Sequence, residues 1–185
     1  MNHYLVWLSR LHRCRGFGVQ SPSAYWFIRY VVNEHYPYYA YAEMKAQYPH
    51  EGFEAHHIGR LLFRMANFLQ ADHCLFLSSF HPAILKDYIH QGCQKTTVES
   101  LLDDTIYKYG VLDADCSADN LDLLRRSFAN DGVIVLLHIK RSKAARALWH
   151  HVTHSDLYGV TLDLYYCGIV FLDTTKYKAS YMVNY

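Results

Sequence analysis

Apolar positions in the first seventy residues recur at helical spacing. Ser21-Pro22 reads as an N-cap followed by proline at the first helical position, and Ala24, Phe27, Ile28, Val31 and Val32 then share one face. Tyr36-Pro37 breaks this pattern. A polar stretch runs through His50-Glu51-Gly52, after which Ile58, Leu61, Leu62, Met65 and Leu69 predict an amphipathic helix over about 54–70. From Cys74 the rhythm changes to short apolar runs alternating with helical stretches. Cys74 to Leu77, Lys95 to Glu99, Tyr107 to Leu112 and Gly132 to Ile139 are the runs. Pro82 to Gln91, closed by Gly92, and Ser117 to Phe128 are the helices between them. The Val133-Ile134-Val135-Leu136-Leu137 run is continuously apolar, as a strand buried on both faces requires, which predicts a parallel sheet with right-handed crossovers.

Ser142 caps another helix, on which Ala144, Ala147, Leu148 and Val152 share a face. Val160 to Tyr166 and Ile169 to Leu172 flank Cys167-Gly168 and predict an antiparallel hairpin, with Tyr181 to Tyr185 as a further strand. The expected fold class is α/β: three layers and a mostly parallel sheet of about five to seven strands with the Val133 strand central. One domain over 1–185 is expected, with a helical segment at 1–70 and the sheet-bearing core at 71–185.

Composition narrows the function classes. Hydrophobic residues make up 51% of the 185 and charged residues 19%, so the chain can bury a core and is not a disordered tail. Eighteen Lys and Arg against seventeen Asp and Glu leave +1, which supplies no summed field for nucleic acid or an anionic membrane and argues against both as partners. Seventeen Tyr and thirteen His give walls that are aromatic and responsive to mildly acidic pH. Five scattered cysteines without a C-x-x-C form neither a disulfide framework nor a zinc pattern and fit reduced thiols. The N-terminus lacks a basic lead, and Ser9 and Arg10 interrupt its apolar stretch before a signal sequence could form. The expected location is the cytoplasm.

Two segments carry a resemblance. Arg15-Gly16-Phe17-Gly18-Val19-Gln20-Ser21-Pro22, Tyr36-Pro37-Tyr38-Tyr39-Ala40-Tyr41 and Leu61 to Phe68 resemble the leader of a small bacterial O-methyltransferase-like family. That family lies within the class I S-adenosylmethionine-dependent methyltransferases. Ser142-Lys143, Trp149, Val160 to Leu164 and Gly168 to Phe171 match its C-terminal part, whereas the middle matches poorly. The resemblance implies a three-layer, Rossmann-like methyltransferase fold ending in an antiparallel hairpin.

It also implies a cofactor site. In the family an acidic residue ends the first strand and a glycine-rich loop follows, letting the cofactor approach the next helix N-terminus. Here the loop is Ser78-Ser79-Phe80-His81-Pro82, in which Phe80 and His81 carry side chains where the cofactor would lie. A non-glycine residue held at positive φ costs roughly 1–3 kcal/mol, so the loop reads as closed. Ser78, Ser79, Glu99 and Asp113 are the candidate cofactor-binding positions: Glu99 for the ribose hydroxyls, Asp113 as a relic of the pocket at a later strand end. A carboxylate ending a strand is common and more often a solvated strand end. Between Glu99 and Tyr107 the family carries a helix, a strand and a helix that this chain lacks, so one sheet edge should be shortened, leaving unpaired backbone that invites self-association or a protein partner.

The family's paired aspartates on the fifth strand are replaced by Leu137 and His138, and Lys140 and Arg141 would repel a divalent ion, so no metal is expected. His138 is the candidate catalytic base, set against a packed or surface histidine. His150 and His154 stand four apart, as zinc ligands do, yet His151 replaces the glutamate of a metalloprotease and no third ligand is evident, which favours a solvated helix face. Arg10, His12, Arg13 and Arg15 form a basic cluster near Trp7 and Phe17 that could touch phosphate and more often is a helix rim.

Two function classes follow. One is a methyltransferase-fold protein that has lost S-adenosylmethionine and acts as a binding or interaction protein toward a small-molecule ligand or partner not specified by the sequence. The alternative is an active S-adenosylmethionine-dependent O-methyltransferase on a small molecule. Loop, acidic pair and sheet edge depart together, which favours the first.

Overall fold

The computed structural model describes residues 7–11, 13 and 18–185. His12 and Arg15 of the basic cluster, Cys14 and part of the leader motif lie outside the described residues. Ser21 accepts the Ala24 amide at 3.3 Å and starts helix α1, Pro22–Phe27, which continues as a π turn over Ile28–Val32. Helix α2 spans Tyr39–Gln47 and helix α3 Phe53–Leu69, the latter one residue displaced at either end from its sequence pattern. The sheet and remaining helices follow: strand β1 His73–Leu77, helix α4 Pro82–Gly92, strands β2 Thr97–Glu99 and β3 Tyr107–Asp113, helix α5 Ala118–Leu124, strand β4 Phe128–Leu137 and helix α6 Lys143–His154. Strands β5 Thr161–Asp163, β6 Cys167–Phe171 and β7 Ser180–Met182 complete the chain.

The seven strands run in the order β2-β1-β3-β4-β6-β5-β7. Every neighbouring pair is parallel except those made by β6, which is antiparallel to both β4 and β5. β4 is therefore central, as its unbroken apolar run anticipates. Side chains alternate across the sheet, and each face has its own core. Cys74, Phe76, Val133, Val135 and Leu137 pack under α1–α4, while Leu75, Leu112, Ile134 and Leu136 pack with Leu121 of α5 and Ala145, Leu148 and Val152 of α6.

Several boundaries differ from the sequence pattern. Helix α5 stops at Leu124 rather than reaching Phe128, and after a single 3₁₀ turn at Arg125–Ser127 Phe128 already belongs to β4. The reason is a bulge. Tyr107 pairs with Phe128 but Tyr109 pairs with Val133, so residues 129–132 loop out and their polar Asn130-Asp131 disguises the strand's first half. The bulge also sends Tyr107 and Tyr109 into opposite cores. Helix α2 falls where only polar character was legible, because it buries just Met44. β2, β5 and β7 are each shorter than their apolar runs. Arg10 is not on a solvated rim: it is buried and donates to Asp163 Oδ1 at 2.9 Å and to the Asp163 and Val183 carbonyls.

Candidate functional site

The chain leaves β1 toward β2 and β3 toward β4, so their C-terminal ends frame the place where the winding direction reverses, and open parallel sheets take ligands there. Ser78 and Ser79 follow β1, and Asp113 ends β3. Ser78 Oγ donates to Asp113 Oδ1 at 2.6 Å, while the Ser79 amide and hydroxyl donate to Oδ2 at 2.8 and 3.0 Å. The Phe80 amide turns back onto Ser78 Oγ at 3.1 Å. Thus the polar groups that could meet a ligand meet each other.

The loop also reaches over the crevice. Phe80 lies edge-on to the His138 ring at 4.5 Å between centroids, and β3 lies between β1 and β4, so this pair arches across the C-terminal end of β3. His138 itself follows β4 in the left-handed region, at φ 59°, its amide donating to the Tyr166 carbonyl at 2.7 Å. His81 caps α4 in the same region, at φ 40°, a conformation that favours glycine and persists only where surroundings hold it. The helical segment supplies the holding groups. Glu51 pairs with His81 Nδ1 at 2.5 Å, and Glu54, in the first turn of α3, stands 3.4 Å from His138 Nε2. The His138 hydrogen bond keeps the Glu54 carboxyl below its ordinary range, against the opposing pull of burial.

Ser78, Ser79, Asp113 and His138 therefore share one rim, whereas Glu99 does not join them. Glu99 sits opposite Leu75 in the β1–β2 register, two residues before β1 ends, and its Oε1 meets His73 Nδ1 at 2.8 Å. His138, the candidate base, lies against the Phe80 ring on one side and meets Glu54 at Nε2. Lys140 is engaged as well: with Arg10 it brackets Asp163, donating to Oδ2 at 2.6 Å. Burial would raise the Asp163 carboxyl, and the Lys140 bond and the Arg10 charge outweigh it and hold it below its ordinary range. Among the described residues no group of three or more His, Cys, Asp or Glu is placed to hold a metal ion. His150 and His154 stack at 4.0 Å on the exposed side of α6, while His151 pairs with Asp122.

A second concavity, not anticipated from the sequence, opens where α2, α3 and the chain's last residues meet. It is a cleft of about 820 Å³ walled by tyrosines, among them Tyr36, Tyr38, Tyr41 and Tyr185. Arg64 forms its inner wall. Arg64 is 5% exposed, and its guanidinium donates to the Val31 and Val32 carbonyls, at 2.6 and 3.0 Å, and to the Tyr41 and Tyr185 hydroxyls, at 3.1 and 3.2 Å. Burial raises both of those phenols despite the opposing pull of Arg64, so they remain neutral. The signal in the sequence was the run Tyr36 to Tyr41, but its partners stand as far away as residue 185.

No family model matches the chain, and a search of curated proteins finds no match. Among solved structures, cofactor-bound Rv0187 from MTB aligns with a TM-score of 0.50 at 13% identity, over 83% of this chain and 99% of that one. At that identity the likeness shows a shared fold. Among the described residues no helix is long and apolar enough to cross a membrane.

Proposed function

We propose that this chain has a methyltransferase-type, Rossmann-like fold whose cofactor crevice is closed by its own side chains, and that it acts as a binding protein. The strand order, with one central parallel set and an antiparallel β6, supports the fold, as does the likeness to a cofactor-bound structure. S-adenosylmethionine does not fit the residues present. The observation that carries this reading is the bridged crevice: three hydrogen bonds from Ser78 and Ser79 saturate one side of Asp113, and the Phe80–His138 pair crosses above it. A ligand would have to break bonds to a carboxylate, worth about 1.5–3 kcal/mol each, and displace an aromatic contact.

Titration calorimetry with S-adenosylmethionine and S-adenosylhomocysteine tests the reading. No saturable binding is expected for the parent chain, and Phe80→Gly with His81→Gly should create it by removing the Phe80 ring that crosses above Asp113 and by placing glycine at the left-handed position 81. Micromolar binding by the parent, lost in Glu99→Ala, would instead overturn this reading and favour the enzyme.

The same reading includes a second copy of this chain as partner. β2 is an edge strand of three residues, and the segment after it carries Leu101, Leu102 and Ile106 at 82%, 51% and 61% exposure. An edge with unpaired backbone beside exposed aliphatic side chains is suited to pairing with its own counterpart about a two-fold axis.

A further inference from the structure

The tyrosine-walled cleft has an unusual charge balance. Lys45, Arg60 and Arg64 line it, and the acid beside them, Glu34, has its Oε2 taken by the Tyr38 hydroxyl at 2.9 Å. Among the described residues none of the three cations has a carboxylate within ion-pair distance. For Arg64 this matters most. A guanidinium keeps its charge at any ordinary pH, and a buried one normally has a counter-ion, because desolvating an unpaired charge costs several kcal/mol. Arg64 has four oxygen acceptors instead, and all four are neutral.

Two further polar groups on this wall are incomplete. Arg60 Nε and Asn33 Nδ2 are buried nitrogen donors with no hydrogen-bond partner. Arg60 is held from two sides, its guanidinium 5.2 Å from the Tyr41 ring centroid and beside the Tyr88 hydroxyl. An unpaired buried donor costs about 1–3 kcal/mol, and these two add positive dipoles to a wall that already carries the Arg60 and Arg64 charges. The walls state the rest of the chemistry. Tyr36, Tyr38 and Tyr41 form a chain of edge-to-face rings with centroids 5.0 and 5.4 Å apart, and Tyr39 stands 90% exposed at the mouth. Such faces hold planar rings and reward them over flexible chains.

We infer that this cleft binds a small planar aromatic anion, its carboxylate or phosphate directed at Arg60 and Arg64 and its ring lying among the tyrosines. The site is separate from the strand-end crevice, since Ser78, Ser79, Asp113 and His138 are not among its lining residues. The inference holds whether or not that crevice takes S-adenosylmethionine.

The probes are 2-naphthoate, 2-naphthyl phosphate and the neutral 2-naphthylmethanol, titrated into the full chain by calorimetry. At least one anion should bind with about tenfold or greater preference over the neutral compound, and the tighter of the two identifies the head group. Arg60→Met should weaken anion binding by about tenfold and leave the neutral compound's weak binding unchanged. Because Arg60 contributes to packing, Lys45→Glu is the second variant. Lys45 is exposed, so the fold survives, and the reversed charge should weaken the anions by about three- to tenfold, more at low salt than at high. Absence of saturable anion binding, equal affinity for the neutral compound, or anion affinity indifferent to Lys45→Glu would each overturn the inference.

Discussion

Asp163 shows how one buried carboxylate ties distant parts of this chain together. Arg10 reaches it from the described part of the N-terminal segment and Lys140 from the turn after β4, and its own Oδ1 also accepts the Tyr165 amide at 2.9 Å. Its folded-state pKa is depressed below the ordinary carboxylate value. The sign follows from linkage: the stabilisation is fully present above the unfolded-state pKa, near pH 4, and disappears as pH falls through the lower folded-state value. Urea midpoints measured between about pH 2 and pH 6 should therefore fall on acidification, and Asp163→Asn should be less stable at the upper end with a flatter acid limb. An unchanged slope in that variant would show that other carboxylates carry the acid sensitivity.

The packing of helices α3 and α4 depends on an absence of side chain. A Cβ on Gly92, the last residue of α4, would run into the Phe63 carbonyl oxygen of α3, and backbone cannot rotate away as a side chain can. Gly92→Ala should cost about 2–4 kcal/mol in unfolding free energy by driving the two helices apart. Gly52 supplies the control, because a Cβ there meets nothing within 4 Å and its φ is ordinary. Gly52→Ala should change stability by less than about 1 kcal/mol, the scale of a helix N-cap preference. Denaturant unfolding of the pair checks both, and equal losses would refute the steric account. The same helices place the rim. α3 carries Glu54 toward His138, and α4 begins at His81, so loosening their contact should also loosen the roof over Asp113.

For the molecule as a whole, the consequential feature is its three-residue edge strand, β2. β2 pairs with β1 through three residues and, among the described residues, has no strand beyond it. Self-association through this edge should appear in sedimentation velocity as a concentration-dependent rise in mass. Leu101→Lys with Ile106→Lys should return the protein to monomer with the thermal transition unchanged, since both positions are exposed. A monomer at every concentration would remove the edge as an interface while leaving the Phe80–His138 contact untouched. Charge supports weak association: a net +1 supplies little repulsion between copies.

Local chemistry was readable wherever it acts over a few residues. Ser21, Ser117 and Ser142 each accept an amide three residues on and start a helix, and the five-residue apolar run of β4 marks a strand buried on both faces. Those patterns are written by the 3.6- and 2-residue periods of the backbone itself, so no partner is needed to read them. The loop Ser78 to Pro82 could likewise be read as hostile to a bare-backbone cofactor site from its side chains alone. The loop's distant partners could not. Asp113 lies thirty-five residues from Ser78, and His138 still further on, and they meet only because the β1, β3 and β4 ends are laid side by side. Glu99 had the right residue type at a strand end, yet its neighbour in space is His73, a pairing decided by strand register. The cleft is the extreme case. Arg64 and Tyr185 stand 121 positions apart, and an apolar period tells which side of α3 is buried without saying which residues will cover it.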